Sequence, residues 1–218
     1  MSQKTYDDGC ATAHAMDLIG DRWALLIVRE LLFGPKRFTD LRADLRKISP
    51  NVLSQRLEEL EAATILQRRQ LPPPAASWVY ELTEWGRELE GPILVLGQWA
   101  ARSPFLQQGL PMSRAGLLLS LRALYRPGGA RFCVDLDLPQ GPVRVTGTAE
   151  GLAIDQPPGG PETPDAVLSG TVDAVDGVLY GATRLQDALE SGALHWQGDP
   201  AALERFLGAF PLPETVPR

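Results

Sequence analysis

Cysteine, histidine and long apolar runs are scarce in this sequence, and each scarcity excludes something. There are two cysteines, Cys10 and Cys133, far apart in sequence. That is no disulfide framework, and it fits a reducing compartment. The two histidines, His14 and His195, have no cysteine or carboxylate spacing around them that would hold a metal. No apolar run reaches the length of a bilayer span. The polar, acidic start (Lys4, Tyr6, Asp7, Asp8) lacks the apolar segment of a secretory leader. A cytoplasmic protein without a membrane partner is expected. There is no internal repeat and no low-complexity tail. No nucleophile–base pair stands out, so neither an enzyme nor a cofactor is expected. His195, beside Trp196 in a predicted strand, reads as structural, and the Gly-Gly pairs at Gly128 and Gly159 flank prolines and read as turns.

Positive charge is also scarce overall, with a net charge of −6 over 218 residues, but it is unevenly spread. Residues 103–218 hold eight Arg, no Lys and thirteen acids. Residues 22–69 hold ten Lys and Arg against six acids. A locally basic segment in an acidic chain is compatible with phosphate contact by one face. A solvated mixed-charge helical surface would look the same by charge alone.

Two halves follow from composition. Residues 10–102 read as helices with one short β-ribbon, and residues 130–170 are rich in Gly, Pro, Val and Asp with period-2 alternation. The boundary is placed near Ser103-Pro104 or between Gln107 and Pro111, giving domains 1–106 and 107–218. In the first half, a short helix from Cys10 stops at Gly20. Asp21 caps a second, Arg22 to Phe33, which is apolar nearly all round and ends at Gly34-Pro35. Thr39 caps a third through about Arg46. Ser49 caps a fourth with Pro50 at its first position, where a missing N–H costs nothing. Leu53, Leu57 and Leu60 share one face of it, leaving Asn51, Ser54, Gln55, Glu58 and Glu59 outward. Two helices joined by Lys47-Ile48-Ser49 make a helix-turn-helix. A hairpin, Leu66–Leu71 and Trp78–Leu82 around Pro72–Ser77, adds a wing. Thr83 caps a long helix that Gly91-Pro92 should kink or split. The second half reads as a helix-flanked antiparallel sheet, so the fold class is α+β.

The segments DLIGDRWALLIVRELLFGPKRFTDLRADL, ISPNVLSQRLEELEAA and YELTEWGREL, downstream of the lone Cys10, resemble the HxlR family of winged helix-turn-helix regulators from about Cys10 to Ala101. The resemblance implies a homodimer whose first and last helices pair, with the fourth helix in the major groove of double-stranded DNA. It makes Asn51, Ser54, Gln55 and Arg56 the readers, with Thr39 and Ser49 beside them, and Arg37, Arg68 and Arg69 the phosphate contacts. Three departures matter. Asn51 stands where many members carry Lys or Arg, and Asn pairs bidentately with adenine. Thr64 stands where a glycine usually turns the chain, so a rebuilt turn is expected. The wing tip carries no Lys or Arg. Cys10 has two readings, a small buried residue at the dimer interface or a redox-sensing thiol of the kind some members carry at this place.

The segment Asp165 to Phe210 is similar to sterol carrier protein type two domains, a pattern covering about Leu117 to Phe210. That resemblance implies an apolar tunnel, with Phe132, Leu179, Trp196, Phe206 and Phe210 as lining residues; an ordinary core would use the same residues. Together the two resemblances describe a homodimeric DNA-binding repressor modulated by an apolar small molecule or lipid. The alternative is a hydrophobe carrier whose first half serves dimerisation.

Overall fold

The structure is a computed structural model that describes residues 5–129, 131–159 and 162–217. The chain divides into two compact units, one up to Ile93 and one from Leu94 on. The division falls inside a helix.

In the first unit, α1 (Ala11–Ile19) is stopped at Gly20, where an added Cβ would lie 2.4 Å from the Met16 carbonyl oxygen. Asp21 does not begin a helix directly; its carboxylate accepts from the Trp23 N–H, and α2 (Ala24–Leu31) starts one turn later. Ile27, Val28 and Leu31 of α2 form the centre of the core, as its apolar composition requires. Expected at Thr39, the cap of α3 (Phe38–Asp44) sits instead at Arg37, whose N–H is accepted by the Asp40 carboxylate three residues on. Thr39 is thereby placed inside the first turn, where its hydroxyl bonds Asp40. Ser49 caps α4 (Pro50–Ala62) by accepting from the Val52 N–H at 3.3 Å. Leu53, Leu57 and Leu60 of α4 are fully buried, each worth about 1.5–3 kcal/mol of transfer free energy.

Thr64 does not rebuild the turn after α4. It takes the left-handed conformation itself, with φ +60°. The Ile65 N–H donates to the Leu60 carbonyl and the Thr64 N–H to that of Glu61, a Schellman closure with Leu60 and Ile65 both in the core. The expected hairpin follows as β1 (Leu66–Gln70) and β2 (Trp78–Leu82), with Leu66 opposite Leu82 and Gln70 opposite Trp78. Thr83 fastens its base: the hydroxyl caps α5 (Glu84–Arg87) through the Gly86 N–H and lies 2.8 Å from the Thr64 carbonyl. Gly86 packs so closely that a Cβ would sit 1.9 Å from the Ile65 oxygen. The long helix predicted after Thr83 is split, α5 ending at Arg87 and α6 running Glu90–Ala101. Gly91-Pro92 lies in the first turn of α6, where proline lacks no partner.

The second unit contains α7 (Arg114–Leu124), β3 (Phe132–Leu138), β4 (Gly141–Gly147), β5 (Leu152–Asp155), β6 (Ala166–Gly170), α8 (Val172–Leu179), α9 (Leu185–Glu190), β7 (Leu194–Gly198) and α10 (Pro200–Gly208). The sheet order is β5-β4-β3-β6-β7. It is mixed, not antiparallel as expected: β3–β4, β4–β5 and β6–β7 are antiparallel, but β6 runs parallel to β3. β6 thus lies on the side of β3 away from β4 and does not pair with β5, which precedes it in the chain. β3 is central, with Phe132, Val134, Leu136 and Leu138 buried on one face, while on the other face burial falls from Cys133 to an exposed Asp137.

Candidate nucleic-acid interface

The exposed face of α4 follows from its leucine stripe. With Leu53, Leu57 and Leu60 turned inward, Asn51, Ser54 and Gln55 are exposed at the N-terminal end of the helix, where base edges are read. Asn51 spends none of its donors or acceptors on the described residues, so its amide is available whole. Ser54 and Gln55 bond only within the helix, the Ser54 hydroxyl to Glu58 at 3.4 Å and the Gln55 amide to Glu59 at 2.9 Å. Both are weak local bonds that another acceptor can replace. Ser49 is committed to the cap described above.

The cations separate into two groups that sequence alone did not distinguish. Arg56 ion-pairs with Asp21 at 3.3 Å and with Glu59, and is largely covered. It therefore braces α4 against the start of α2 instead of reaching outward. Arg69 is held by Glu81 at 2.7 Å. Lys36 is bound by Glu30 and Asp44, and Arg29 by Glu30. Arg37 is exposed beside the first turn of α3, and Arg68 is exposed on the hairpin with its guanidinium over the Trp78 ring. Trp78 is the functional candidate missed from sequence; its spacing opposite Gln70, diagonal to Arg68, was the available signal.

Cys10 is exposed in the chain and sits at the N-cap of α1. The backbone N–H groups of Thr12 and Ala13, at the open helix end, hold its thiol below the ordinary cysteine value. Cys133 is buried in β3 and is packing.

The five residues proposed to line a tunnel are placed in two ways. Phe132, Phe206 and Phe210 are fully buried and pack edge to face, with ring centroids 5.4–6.3 Å apart, and Tyr125 joins them 5.8 Å from Phe210. Their rings fill the interior between β3 and α10. Leu179 is buried on α8, while Trp196 lies half-buried on the edge strand β7. Elsewhere in this unit, Asp137, Ser169 and His195 stand in one row across β3, β6 and β7. Serine lies between the other two, its hydroxyl 3.5 Å from Asp137. A hydrolytic relay needs the histidine in that middle place. Among the described residues no helix is long and apolar enough to cross a membrane.

Comparison with known proteins bears on the first half of the chain. A family model described as HxlR-like helix-turn-helix matches residues 18–108. The HTH-type transcriptional regulator YodB of Bacillus subtilis (strain 168) is 38% identical over 86 residues, spanning 39% of this chain and 77% of that protein. The HTH-type transcriptional regulator YvaP of the same organism is 37% identical over 86 residues, 39% of this chain and 80% of the relative. Among solved structures, the reduced form of YodB from B. subtilis is 34% identical and covers 45% of this chain and 97% of its own, with a TM-score of 0.41. A helix-turn-helix with a capped, leucine-anchored fourth helix and a wing, matched over most of a relative's length, fixes the assignment: the chain belongs to the HxlR-like helix-turn-helix family.

Proposed function

We propose that the chain is a homodimeric DNA-binding transcription regulator, acting as a repressor. The observation that carries this is α4, a helix fixed to the core by three leucines that presents Asn51, Ser54 and Gln55 outward, while the side chains of Arg37 and Arg68 pair with no acid among the described residues. Phosphate contacts from the two arginines give affinity and register; the amide side chains give base preference. Dimerisation is supported by α6, which is apolar yet buries no residue, leaving Val95, Leu96 and Trp99 exposed, the last at 75%. A second copy covering that face would supply the two-fold symmetry that paired half-sites require.

The test is fluorescence anisotropy of the purified chain on the DNA upstream of its own gene and on a scrambled duplex of equal length, over a salt series. Selective binding that weakens steeply with salt is expected. Asn51→Ala should relax preference at one base position by about 1–3 kcal/mol. Equal, salt-insensitive binding to both duplexes, or none at low salt, leaves the carrier reading in its place. Repression is read from a reporter behind the same promoter.

Two modulators belong to this reading. An apolar ligand in the second unit would have to open the Phe132–Phe206–Phe210 cluster, and native mass spectrometry with added fatty acid tests for uptake. Cys10, exposed and with a lowered thiol pKa, is the oxidant-sensing candidate. Cys10→Ser should then abolish any effect of diamide on DNA binding; a wild type equally indifferent to diamide ends that idea.

A further inference from the structure

The register of the hairpin separates two faces. On one, Gln67 stands opposite Glu81, and Arg69 is their neighbour. The Glu81 carboxylate accepts from Gln67 Nε2 at 2.8 Å and from Arg69 Nε at 2.7 Å, so this face is internally neutral. On the other, Arg68 stands opposite Tyr80 and Gln70 opposite Trp78. The Arg68 guanidinium carbon lies 4.6 Å from the Trp78 ring centroid and 6.0 Å from that of Tyr80. No carboxylate among the described residues pairs with its side chain.

A cation over an indole face is held by the ring's quadrupole, which consumes none of the guanidinium's N–H donors. Arg68 is therefore fixed in place with its hydrogen-bonding capacity intact, the reverse of Arg69. Holding a long side chain in one rotamer before binding removes an ordering cost otherwise incurred on contact. The support beneath it is firm: Tyr80 and Lys36 exchange backbone hydrogen bonds at 2.8 and 3.0 Å, and Thr83 closes the hairpin's base. Trp78 itself is 49% exposed, which packing does not explain. The tip, 72–77, carries no charge, so any anion the wing meets must be met at Arg68.

We propose that Trp78 is a positioning residue that holds Arg68 as a clamp for one backbone phosphate of duplex DNA, and that the wing engages DNA through this face and not through Arg69. The guanidinium fork donates to two phosphodiester oxygens, a charge-assisted pair that carries register without base preference. The clamp rests on the DNA-binding reading above.

The experiment is the same anisotropy titration of the full chain on both duplexes. Arg68→Ala should weaken binding to both alike, about 5- to 20-fold, and reduce the slope of log affinity against log salt by about one per wing. Trp78→Ala should weaken it about 3- to 10-fold. Trp78→Phe, which keeps a ring face, should recover most of that loss. In the Arg68→Ala background, Trp78→Ala should change affinity less than about 2-fold, because the ring acts through the guanidinium. Arg69→Ala should stay within about 2-fold of wild type. A melting curve matching wild type certifies each variant's fold, and Trp78→Phe decides the matter if the alanine variant does not fold. A silent Trp78→Ala, losses at Trp78 and Arg68 that simply add, or an Arg69→Ala as damaging as Arg68→Ala overturns the clamp while wild-type binding still upholds the regulator. A wild type that binds neither duplex overturns both.

Discussion

Glu30 in the first unit and Asp176 in the second are both buried carboxylates, and their surroundings differ. Glu30 has no exposed surface and accepts from Arg29 at 2.7 Å and Lys36 at 2.8 Å; Lys36 reaches on to Asp44 at 2.6 Å. Because Lys36 also pairs its backbone with Tyr80, one network joins α2, α3 and the root of the wing. Asp176 on α8 is 7% exposed, and its carboxylate has no hydrogen-bond or ion-pair partner among the described residues. Desolvation, reinforced by the like charge of Asp173, pushes its pKa up to about 6. One turn on, burial raises the pKa of the Tyr180 hydroxyl too, with the charge of Asp176 adding to it. Glu30 thus fixes geometry in the first unit, whereas Asp176 is a standing cost in the second, the opposite of that unit's own largely buried pair, in which Arg144 donates to both Asp135 oxygens at 2.7 and 2.8 Å.

The largest effect should come from Glu30→Ala, which leaves two cations facing a cavity. A loss of about 3–5 kcal/mol is expected in urea unfolding. A loss below about 1 kcal/mol would mean the network is no stronger than a surface pair, and the contrast with Asp176 would collapse.

Asp176→Asn should act in the opposite direction. Between pH 4 and 6 the native carboxyl keeps a proton that the unfolded chain releases, so its contribution to stability falls as pH rises through that window. The penalty is complete above about pH 6. The asparagine variant should be more stable than wild type by about 1–3 kcal/mol at pH 7.5, with the gain fading toward pH 4. Calorimetry at the two pH values measures the difference, and a gain independent of pH would assign it to packing.

Smaller still is Thr64→Gly. A β-branched residue at φ +60° costs about 1 kcal/mol relative to glycine. Relief should raise the melting temperature by a few degrees, showing that the first unit's residual strain lies in its backbone and not its charges. An unchanged or lowered melting temperature would count against that.

What could be read from sequence was what local chemistry decides. Ser49-Pro50 announces α4, the leucine spacing fixes its buried face, and the strand pattern locates the hairpin. The period-2 alternation of residues 130–170 likewise marks the second unit as a sheet. Partnerships across distance were not legible. Arg56 looks like a DNA contact until Asp21, thirty-five positions earlier, is seen to hold it. Arg68 and Arg69 are neighbours in sequence with opposite situations in space, because alternate residues of a strand face opposite ways. The cap at Arg37 escaped because its carboxylate lies three residues downstream and works on the backbone. The parallel β3–β6 pairing joins strands far apart in sequence, and the segment 156–165 that precedes β6 carries no periodic signal.

The way Asn51, Ser54 and Gln55 are bonded has a consequence for how such regulators diversify. Their side chains contact solvent or their own helix, and the leucines on the opposite face do the anchoring. Under the proposed function, replacing them would change which promoter is addressed while leaving folding almost untouched, so one scaffold could drift among operators through neutral intermediates. Glu81 works in the same direction on the wing: by pairing Arg69 it keeps one face of the hairpin neutral, so grip and promoter choice are carried by separate residues.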